Sequence, residues 1–327
     1  MTMLFSWRIA HILACTLAVA ATPETRSQEW PGGPVRIIVP TTAGSSVDLV
    51  ARTLGEQLAV RWGRPVIIDN RAGAGGVTGM NAVARSVPDG LTLGLGFSGP
   101  VALAALLDGR VPNQSGMELV PVVMATAQPN VLAVSASLPV HDLAEFVTWA
   151  RQQGGKLAYA SVGIGSTSHL GMELFKTVAG FEVTHIPYAG SAPAATSLAA
   201  GDTQMLFAVQ TALKPLVAAG RIRLLATTSL RRSELSLDLP TVAESGYPGF
   251  EVMGWNGLFA PAGTPVAIVT KINADANAAL ADVTVRAALV SQGMLPAGGS
   301  AAAFGQVIAE DIRRWTPVVQ RLRLGKD

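Results

Sequence analysis

The chain has 327 residues, of which 49% are hydrophobic and 14% are charged, and its formal net charge is +2. This length is enough for two domains, and the composition argues against long disordered tracts. The nearly balanced charge provides no polybasic arm and no acidic tail, so neither nucleic acid nor a membrane surface is indicated as a partner.

The first 21 residues predict a secretory signal peptide. Arg8 supplies the positive charge, residues 9–21 form a short apolar run, and cleavage would follow Ala20 or Ala21. The run is too short to span a bilayer, and a buried N-terminal helix is the alternative. The only cysteine, Cys15, lies in this segment, where lipid attachment is a minor alternative. An exported chain cleaved here would have no disulfide and no cysteine metal site.

After the signal peptide, short β-rich runs alternate with amphipathic stretches, the order typical of a mostly parallel sheet covered by helices. Hydrophobic patterning predicts strands at 35–39, 66–69, 91–95, 131–134, 156–160, 183–186, 205–208 and 223–226, and a further run follows at 255–260. It predicts helices at 49–60, 142–152, 169–178, 265–280 and 301–320. One further helix follows the glycine-rich residues 73–79 and extends to Val83. The sequence therefore predicts an α/β fold, and it contains no repeat of fixed period.

Two places in this order are alike, because each has a strand, a loop rich in Gly, Ser and Thr, and then the start of a helix. The first loop precedes Asp48 and the second precedes His169. A helix N-terminus attracts anions through its unpaired N–H groups, and glycines let the backbone approach a ligand closely. Two such loops facing one another would form a carboxylate site built from neutral donors.

Ordinary helix capping is the alternative interpretation of both loops. Ser45 with Asp48 fits an S-x-x-D capping box, and either Ser166 or Ser168 could cap the later helix. For one loop alone capping would be the simpler explanation. The presence of the same pattern at equivalent places in the two halves of the chain favours binding.

Two glycine-rich motifs do not indicate a nucleotide cofactor. Residues 94–99 (GLGFSG) match G-x-G-x-x-G, but the first glycines fall inside a predicted strand and Pro100 follows at once. Residues 73–79 lack the Lys-Ser/Thr ending of a phosphate-binding loop, so they predict a tight turn. We therefore predict that the protein uses no cofactor.

The histidines His141, His169 and His185 are far apart and show no metal-ligand spacing, so no metal site is predicted. His169 is interpreted as a ligand-site or capping residue. A periplasmic serine hydrolase using Ser166 with His169 is the rival function, although no G-x-S-x-G elbow is present. Trp255 is either a core or hinge aromatic or a pocket wall.

Several long motifs together resemble one known family. They are residues 66–90 (VIIDNRAGAGGVTGMNAVARSVPDG), 159–163 with 165–169, 185–188 with 190–193, 239–246 and 258–265. These stretches resemble the Bug family, also called TctC-type receptors, which are periplasmic binding proteins of tripartite tricarboxylate transporters. The likeness covers essentially the whole mature chain in the expected order.

The resemblance implies a type II periplasmic-binding architecture, with two α/β lobes joined by a hinge that the chain crosses twice. We place lobe 1 at 30–124 and 253–327, and lobe 2 at 125–252. It also implies a periplasmic, non-enzymatic solute-binding protein that captures a small organic carboxylate. Its partners would be membrane permease subunits or a sensor kinase, and we expect the receptor itself to be a monomer.

The resemblance further implies that the two loops hold a ligand carboxylate through backbone N–H groups and hydroxyls, with help from ordered water. The candidate ligand-binding residues are Thr41, Thr42, Gly44, Ser45, Asp48, Ser98, Ser161, Gly163, Gly165, Ser166, Thr167, His169 and Ala208. Among them, Asp48 is expected to order its loop rather than to touch an anion, since like charges repel.

The sequence departs from the family pattern at two places. An aromatic residue and a Gly-Gly pair are common in the first loop, where this chain has Thr41 and Gly44-Ser45. An aspartate often follows the strand phenylalanine corresponding to Phe207, and here that position is Ala208. Because an acidic residue there would suit an ammonium group, a non-amino mono-, di- or tricarboxylate is favoured over an amino acid.

Overall fold

The structure is a computed structural model that describes residues 30–103, 106, 119–188 and 190–322. The predicted signal peptide and Cys15 lie outside these residues. The described chain forms two β-sheets with helices packed against them, which confirms the predicted α/β fold. Among the described residues, no helix is both long and apolar enough to cross a membrane.

The first sheet has the strand order β11-β4-β10-β3-β1-β2. Its strands are β1 (Val35–Val39), β2 (Val66–Asn70), β3 (Thr92–Phe97), β4 (Leu119–Pro129), β10 (Met253–Pro261) and β11 (Leu295–Pro296). Strand β1 pairs in parallel with β2 and β3, whereas β10 is antiparallel to both β3 and β4.

The second sheet has the order β7-β6-β8-β5-β9. Its strands are β5 (Val131–Ser135), β6 (Ala158–Ser161), β7 (Thr184–Pro187), β8 (Met205–Ala208) and β9 (Ile222–Thr227). Strand β6 is parallel to β7 and β8, and β5 is antiparallel to β8 and β9. Both sheets therefore contain parallel and antiparallel pairs, and the expectation of a mostly parallel sheet was wrong. The antiparallel strands β5 and β10 are the ones that follow the points where the chain passes from one sheet to the other.

The helices cover these sheets. They are α1 (Ser46–Trp62), α2 (Val77–Ala84), α3 (Leu143–Gln152), α4 (Thr167–Ala179), α5 (Ser191–Ala200), α6 (Gln210–Ala218), α7 (Val266–Leu280), α8 (Val283–Ser291) and α9 (Ala301–Leu322). A 3-10 turn at Ala74–Gly76 and a π-helical turn at Gly99–Leu103 complete the described elements. The predicted strands and helices are present with small shifts at their ends.

The chain passes between the two sheets twice, which gives the two-lobe architecture with a double crossing. Strand β4 runs directly into β5, and residues after β9 return to β10, where Met253 pairs with Pro129. The crossings are tied together, because the Asn130 N–H donates to Thr228 Oγ1 at 2.9 Å and that hydroxyl donates to the Val252 carbonyl at 2.6 Å. The lobe boundaries at 124/125 and 252/253 remain a prediction.

Glycines in β3 serve packing. A Cβ at Gly94 would lie 2.6 Å from Val83 Cγ2, and one at Gly96 would lie 2.9 Å from both Met80 Cε and Phe259 Cε2. Any side chain at these positions would force Val83, Met80 or Phe259 to shift, so glycine allows α2 and β10 to pack closely on β3. Gly94 and Gly96 thus lie within strand β3, not in the loop between a strand and a helix where a dinucleotide motif places its glycines, and Gly99 begins the π-helical turn.

One apolar cluster is continuous through the hinge. It joins Trp255 and Phe259 on β10, Trp315 on α9, and Phe175 and Phe207 in the second-sheet lobe. A separate cluster lies between the first sheet and helices α1, α7 and α8. Helix α9 is therefore part of a core that both lobes share.

Candidate ligand-binding site

A cleft of about 390 Å³ lies where the two lobes meet and is lined from both sheets. This volume suits a small organic molecule. The predicted residues that line it are Thr41, Ser45, Ser98, Ser166, Thr167 and Ala208. The other lining residues are Ser46, Val47, Phe97, Gly99, Gln128, Asn130, Val162, Gly190, Ser191, Val209, Gly254, Trp255 and Asn256.

None of these lining residues carries a formal charge, so polarity comes from hydroxyls, carboxamides and the backbone. Four helices begin at the cleft wall. Ser46, Thr167 and Ser191 are the first residues of α1, α4 and α5, and Val209 caps α6. Each N-terminus presents unpaired N–H groups and a partial positive charge. These four N-termini favour a bound anion, and none of the described lining residues is basic.

The first loop is held by its own side chains. Ser45 is the N-cap of α1 and accepts the Asp48 N–H at 3.2 Å, while the Gly44 N–H donates to Asp48 Oδ2 at 2.8 Å. Gly44 has φ +82°, which other residues rarely adopt. The hydroxyls of Thr41 and Ser45 lie 2.6 Å apart. This arrangement brings Thr41 and Ser45 to the cleft wall.

Asp48 lies behind this loop and outside the cleft lining. Its side chain is 1% exposed and accepts hydrogen bonds from Asn70 Nδ2 and Arg52 Nε, each at 2.9 Å. Burial raises the pKa of Asp48, but the bonds from Arg52, Gly44 and Asn70 outweigh it and hold the pKa below its ordinary value. The carboxylate is ionised, and its hydrogen-bond donors are Gly44, Arg52 and Asn70 of the protein itself.

The second loop has the same construction. Ser166 is the N-cap of α4 and accepts the His169 N–H at 3.2 Å, and the Gly165 N–H donates to His169 Nδ1 at 3.1 Å. Ser166 also donates to the Gly163 carbonyl at 2.6 Å. Of the two predicted capping candidates, Ser166 is the cap, whereas Ser168 donates to the Phe207 carbonyl.

His169 is buried in a stack of rings behind the loop. Its ring lies 4.0 Å from that of His185, which in turn lies 4.8 Å from Tyr159. Burial, reinforced by the neighbouring His185, lowers the pKa of His169 to about 4. The imidazole is therefore neutral at neutral pH, as the accepted hydrogen bond from Gly165 requires.

The remaining polar groups of this stack are paired with one another. Ser161 Oγ lies 2.7 Å from His185 Nε2, and the Tyr159 hydroxyl donates to Glu173 Oε1 at 2.7 Å. Lys176 lies 2.8 Å from the other oxygen of Glu173. Neither Ser161 nor His185 lines the cleft, so the stack supports the second loop from behind.

The predicted site residues thus divide into two groups. Those named above line the cleft. The others lie within or behind the two loops and are not among the lining residues; these are Thr42, Gly44, Asp48, Ser161, Gly163, Gly165 and His169. The Ser166 hydroxyl donates to the Gly163 carbonyl and His169 Nδ1 accepts the Gly165 N–H, so these hydrogen bonds do not form a serine–histidine dyad.

Several residues of the cleft wall were not predicted from the sequence, because they lie at the hinge between the lobes. Asn130 Nδ2 donates to Thr167 Oγ1 at 3.3 Å, and Asn256 Nδ2 donates to Thr126 Oγ1 at 2.9 Å. Trp255 combines the two roles considered for it, since it is 2% exposed, packs in the shared core and also borders the cleft. Asn256 lies on β10 and Asn130 lies in the crossing between β4 and β5, so their place at the cleft could have been found only by pairing β4 with β10.

Two α/β lobes, a double crossing and an uncharged cleft at four helix N-termini define a two-lobe solute-binding protein. Residues 50–324 match the family described as "Tripartite tricarboxylate transporter family receptor", and the chain belongs to this family. It is 35% identical over 313 residues to protein BugT of Bordetella pertussis, covering 95% of each chain. Together these matches confirm the Bug, or TctC-type, family that the motifs indicated.

Two solved structures are similar over their whole length. One is R. palustris Rpa4515 with adipate, at 37% identity and a TM-score of 0.78, covering 89% of this chain and 98% of that one. The other is MatC from Rhodopseudomonas palustris with bound malate, at 32% identity and a TM-score of 0.74, covering 89% and 100%. The relatives are binding proteins rather than enzymes, and the hydrolase alternative has no support among them.

Proposed function

We propose that this protein is a periplasmic receptor, exported by its N-terminal signal peptide, that binds a small organic carboxylate in the cleft without transforming it. The observation that supports this most directly is the uncharged cleft wall at which α1, α4, α5 and α6 begin. An anion there would be stabilised by backbone N–H groups from both lobes. The adipate and malate bound by the two similar solved proteins are both dicarboxylates.

The ligand class follows from the same wall. Ala208 lines the cleft, and none of the described lining residues offers a carboxylate to an ammonium group. A non-amino mono-, di- or tricarboxylate, aromatic acids included, is therefore preferred over aspartate or glutamate. Closure of lobe 1 (30–124 and 253–327) on lobe 2 (125–252) would expel water and strengthen the neutral contacts. The monomeric receptor would then deliver its ligand to a membrane permease or to a sensor kinase.

A thermal-shift screen tests this proposal. The mature protein is unfolded and refolded to remove carried-over ligand, and then screened against di- and tricarboxylates, aromatic acids, amino acids and sugars. A ligand at a hundred times its dissociation constant adds about 2.7 kcal/mol, which raises the melting temperature by a few degrees. A selective shift with one class of acid is the expected result. Tight binding of aspartate or glutamate would contradict the ligand class, and a response only to sugars or cations would contradict the carboxylate site.

A matched pair of variants locates the binding site. Ser46 is exposed, lines the cleft and is the first residue of α1, where an acidic side chain is compatible with the helix. Ser46→Asp should weaken binding of the responding acid more than tenfold by repulsion, while Ser46→Asn, of the same size but neutral, should stay within about threefold. Equal affinities for both variants would place the ligand elsewhere.

A further inference from the structure

Helix α9 contacts the return crossing of the hinge through two residues one turn apart. Asp311 Oδ2 accepts the indole N–H of Trp255 at 2.6 Å. Arg314 donates to the Glu251 carbonyl at 2.9 Å and to its side chain at 3.2 Å. These bonds hold the chain on both sides of Gly254, and residues 254–256 form part of the cleft wall. The helix itself contributes no residue to that wall.

The Asp311–Trp255 pair is buried in an apolar setting. Asp311 is 8% exposed and Trp255 is 2% exposed, and the indole ring packs edge-on against Phe304 at 5.1 Å. Burial raises the pKa of Asp311, while the bond from Trp255 and the nearby Arg314 act in the opposite direction. A buried carboxylate is costly unless it is hydrogen-bonded, and the Trp255 indole N–H provides such a bond.

A second pair of the same kind lies away from the cleft. Trp62, at the end of α1, donates its indole N–H to Asp275 Oδ2 on α7 at 2.7 Å. Neither residue lines the cleft. The described residues therefore contain two tryptophan–aspartate bonds of similar length, 2.6 and 2.7 Å, and only the first is attached to a wall strand of the site.

We propose that Asp311 is a positioning residue for ligand binding. By accepting the Trp255 indole N–H it fixes the strand segment 254–256 against α9, so the cleft wall is set before the ligand arrives. A preformed wall saves the ordering cost that a mobile strand would impose on binding. This inference rests on the proposed function, because its measure is carboxylate affinity.

The test is a double-mutant cycle with adipate as the probe and malate as the second probe, read by calorimetry. Asp311→Leu should weaken binding about tenfold, and Asp311→Asn, whose carboxamide oxygen still accepts the indole N–H, should recover to within about threefold. Trp255→Phe, which lacks the N–H, should lose a similar amount. The double variant Trp255→Phe/Asp311→Leu should bind no worse than Trp255→Phe alone, because the two groups act through one bond.

Asp275→Leu is the matched control, since it should lower the melting temperature but leave affinity unchanged. Losses that add in the double variant, or a loss in Asp275→Leu as large as that in Asp311→Leu, would reduce Asp311 to a general stabilising role and overturn the inference. If Asp311→Leu does not fold, Trp255→Phe removes the same bond without changing α9, and unaltered affinity in that variant overturns it as well.

The two proposals fail in different ways. If the unmodified protein binds adipate or malate and Asp311→Leu binds equally well, the receptor function stands and the positioning role of Asp311 is wrong. If the refolded unmodified protein binds no acid of the screen, the proposed function is wrong and the positioning role falls with it.

Discussion

The two loops at the cleft have nearly the same backbone and different chemistry. Both N-caps are serines with almost identical dihedral angles, φ −71° and ψ 162° for Ser45 and φ −72° and ψ 160° for Ser166. In both, the glycine before the cap donates its N–H to the side chain of the third helical residue. That residue is Asp48 in the first loop and His169 in the second.

The difference lies in how the acceptor is supported. Asp48 is an ionised carboxylate whose charge is balanced by Arg52, which is itself half exposed. His169 is a neutral imidazole enclosed between other rings. The same loop geometry can thus be held by an ionised carboxylate or by a buried neutral imidazole as the hydrogen-bond acceptor. Only conditions or substitutions that change the protonation or charge of the acceptor distinguish the two loops. The comparison predicts that the lobes respond differently to acid and to substitution.

The largest expected effect is that of acid on the second loop. With a pKa of about 4 against an ordinary 6.5, His169 is neutral in the folded chain while the unfolded chain takes up a proton. The free energy of unfolding therefore falls as pH falls from 6.5 to about 4, by about 3 kcal/mol at this position. His185 adds to the trend, since burial also lowers its pKa. Glu173, Lys176 and the Tyr159 hydroxyl face the same stack.

Urea unfolding across this pH range, with and without His169→Asn, measures the effect. The variant should lose most of the pH dependence because it has no titrating group at this position. His141→Asn changes an exposed histidine and serves as the control, whose slope should match that of the unmodified chain. An unchanged slope in His169→Asn would show that the second loop is not the acid-sensitive one.

The next effect concerns the first loop. Asp48→Leu removes the acceptor of the Gly44 N–H and one of the two acceptors of Asn70 Nδ2, which keeps the Thr41 carbonyl, while Arg52 can turn to solvent. We expect a loss of about 2 kcal/mol in the free energy of unfolding. Asp48→Asn keeps an oxygen for Gly44 and should lose half of that or less. Equal losses in urea unfolding would mean that the ion pair with Arg52, rather than the loop bonds, stabilises this lobe.

The sequence was sufficient to locate both loops because their signals are local. A strand, a serine N-cap and a helix lie within about ten residues of one another, and capping chemistry depends on short spacings. The sequence pattern begins these helices at 49 and 169, whereas in the structure they begin at Ser46 and Thr167, directly after the caps Ser45 and Ser166. The supporting roles of the side chains behind the loops were harder to predict from the sequence. No local pattern shows that the His169 ring lies in the stack behind its loop rather than in the cleft.

The rest of the cleft depends on contacts between distant parts of the chain. Strand β4 was not predicted, because residues 119–129 contain two prolines and alternate poorly, yet they pair along β10 more than a hundred residues later. Helices α5, α6 and α8 were also missed. Helix α5 is rich in alanine and contains Pro193, and α6 contains Pro215, so neither shows a clear apolar stripe. Ser191 belongs to α5, Asn130 follows β4, and Asn256 pairs with Thr126 of β4, so the place of all three in the cleft wall became visible only in the fold.

The smallest expected effect tests whether the two loops are equivalent. Ser45→Ala and Ser166→Ala each remove one N-cap of the same geometry, so each should lower the free energy of unfolding by about 1 kcal/mol. Ser46→Ala, at an exposed first helical position, is the control and should change stability by less than about 0.5 kcal/mol. The measurement is urea unfolding at neutral pH, where neither third-residue side chain titrates. If only one of the two serine variants lost stability, the two N-caps would be unequal despite their matching dihedral angles. The loop whose serine has no effect would then be held by the side chain of its third helical residue alone.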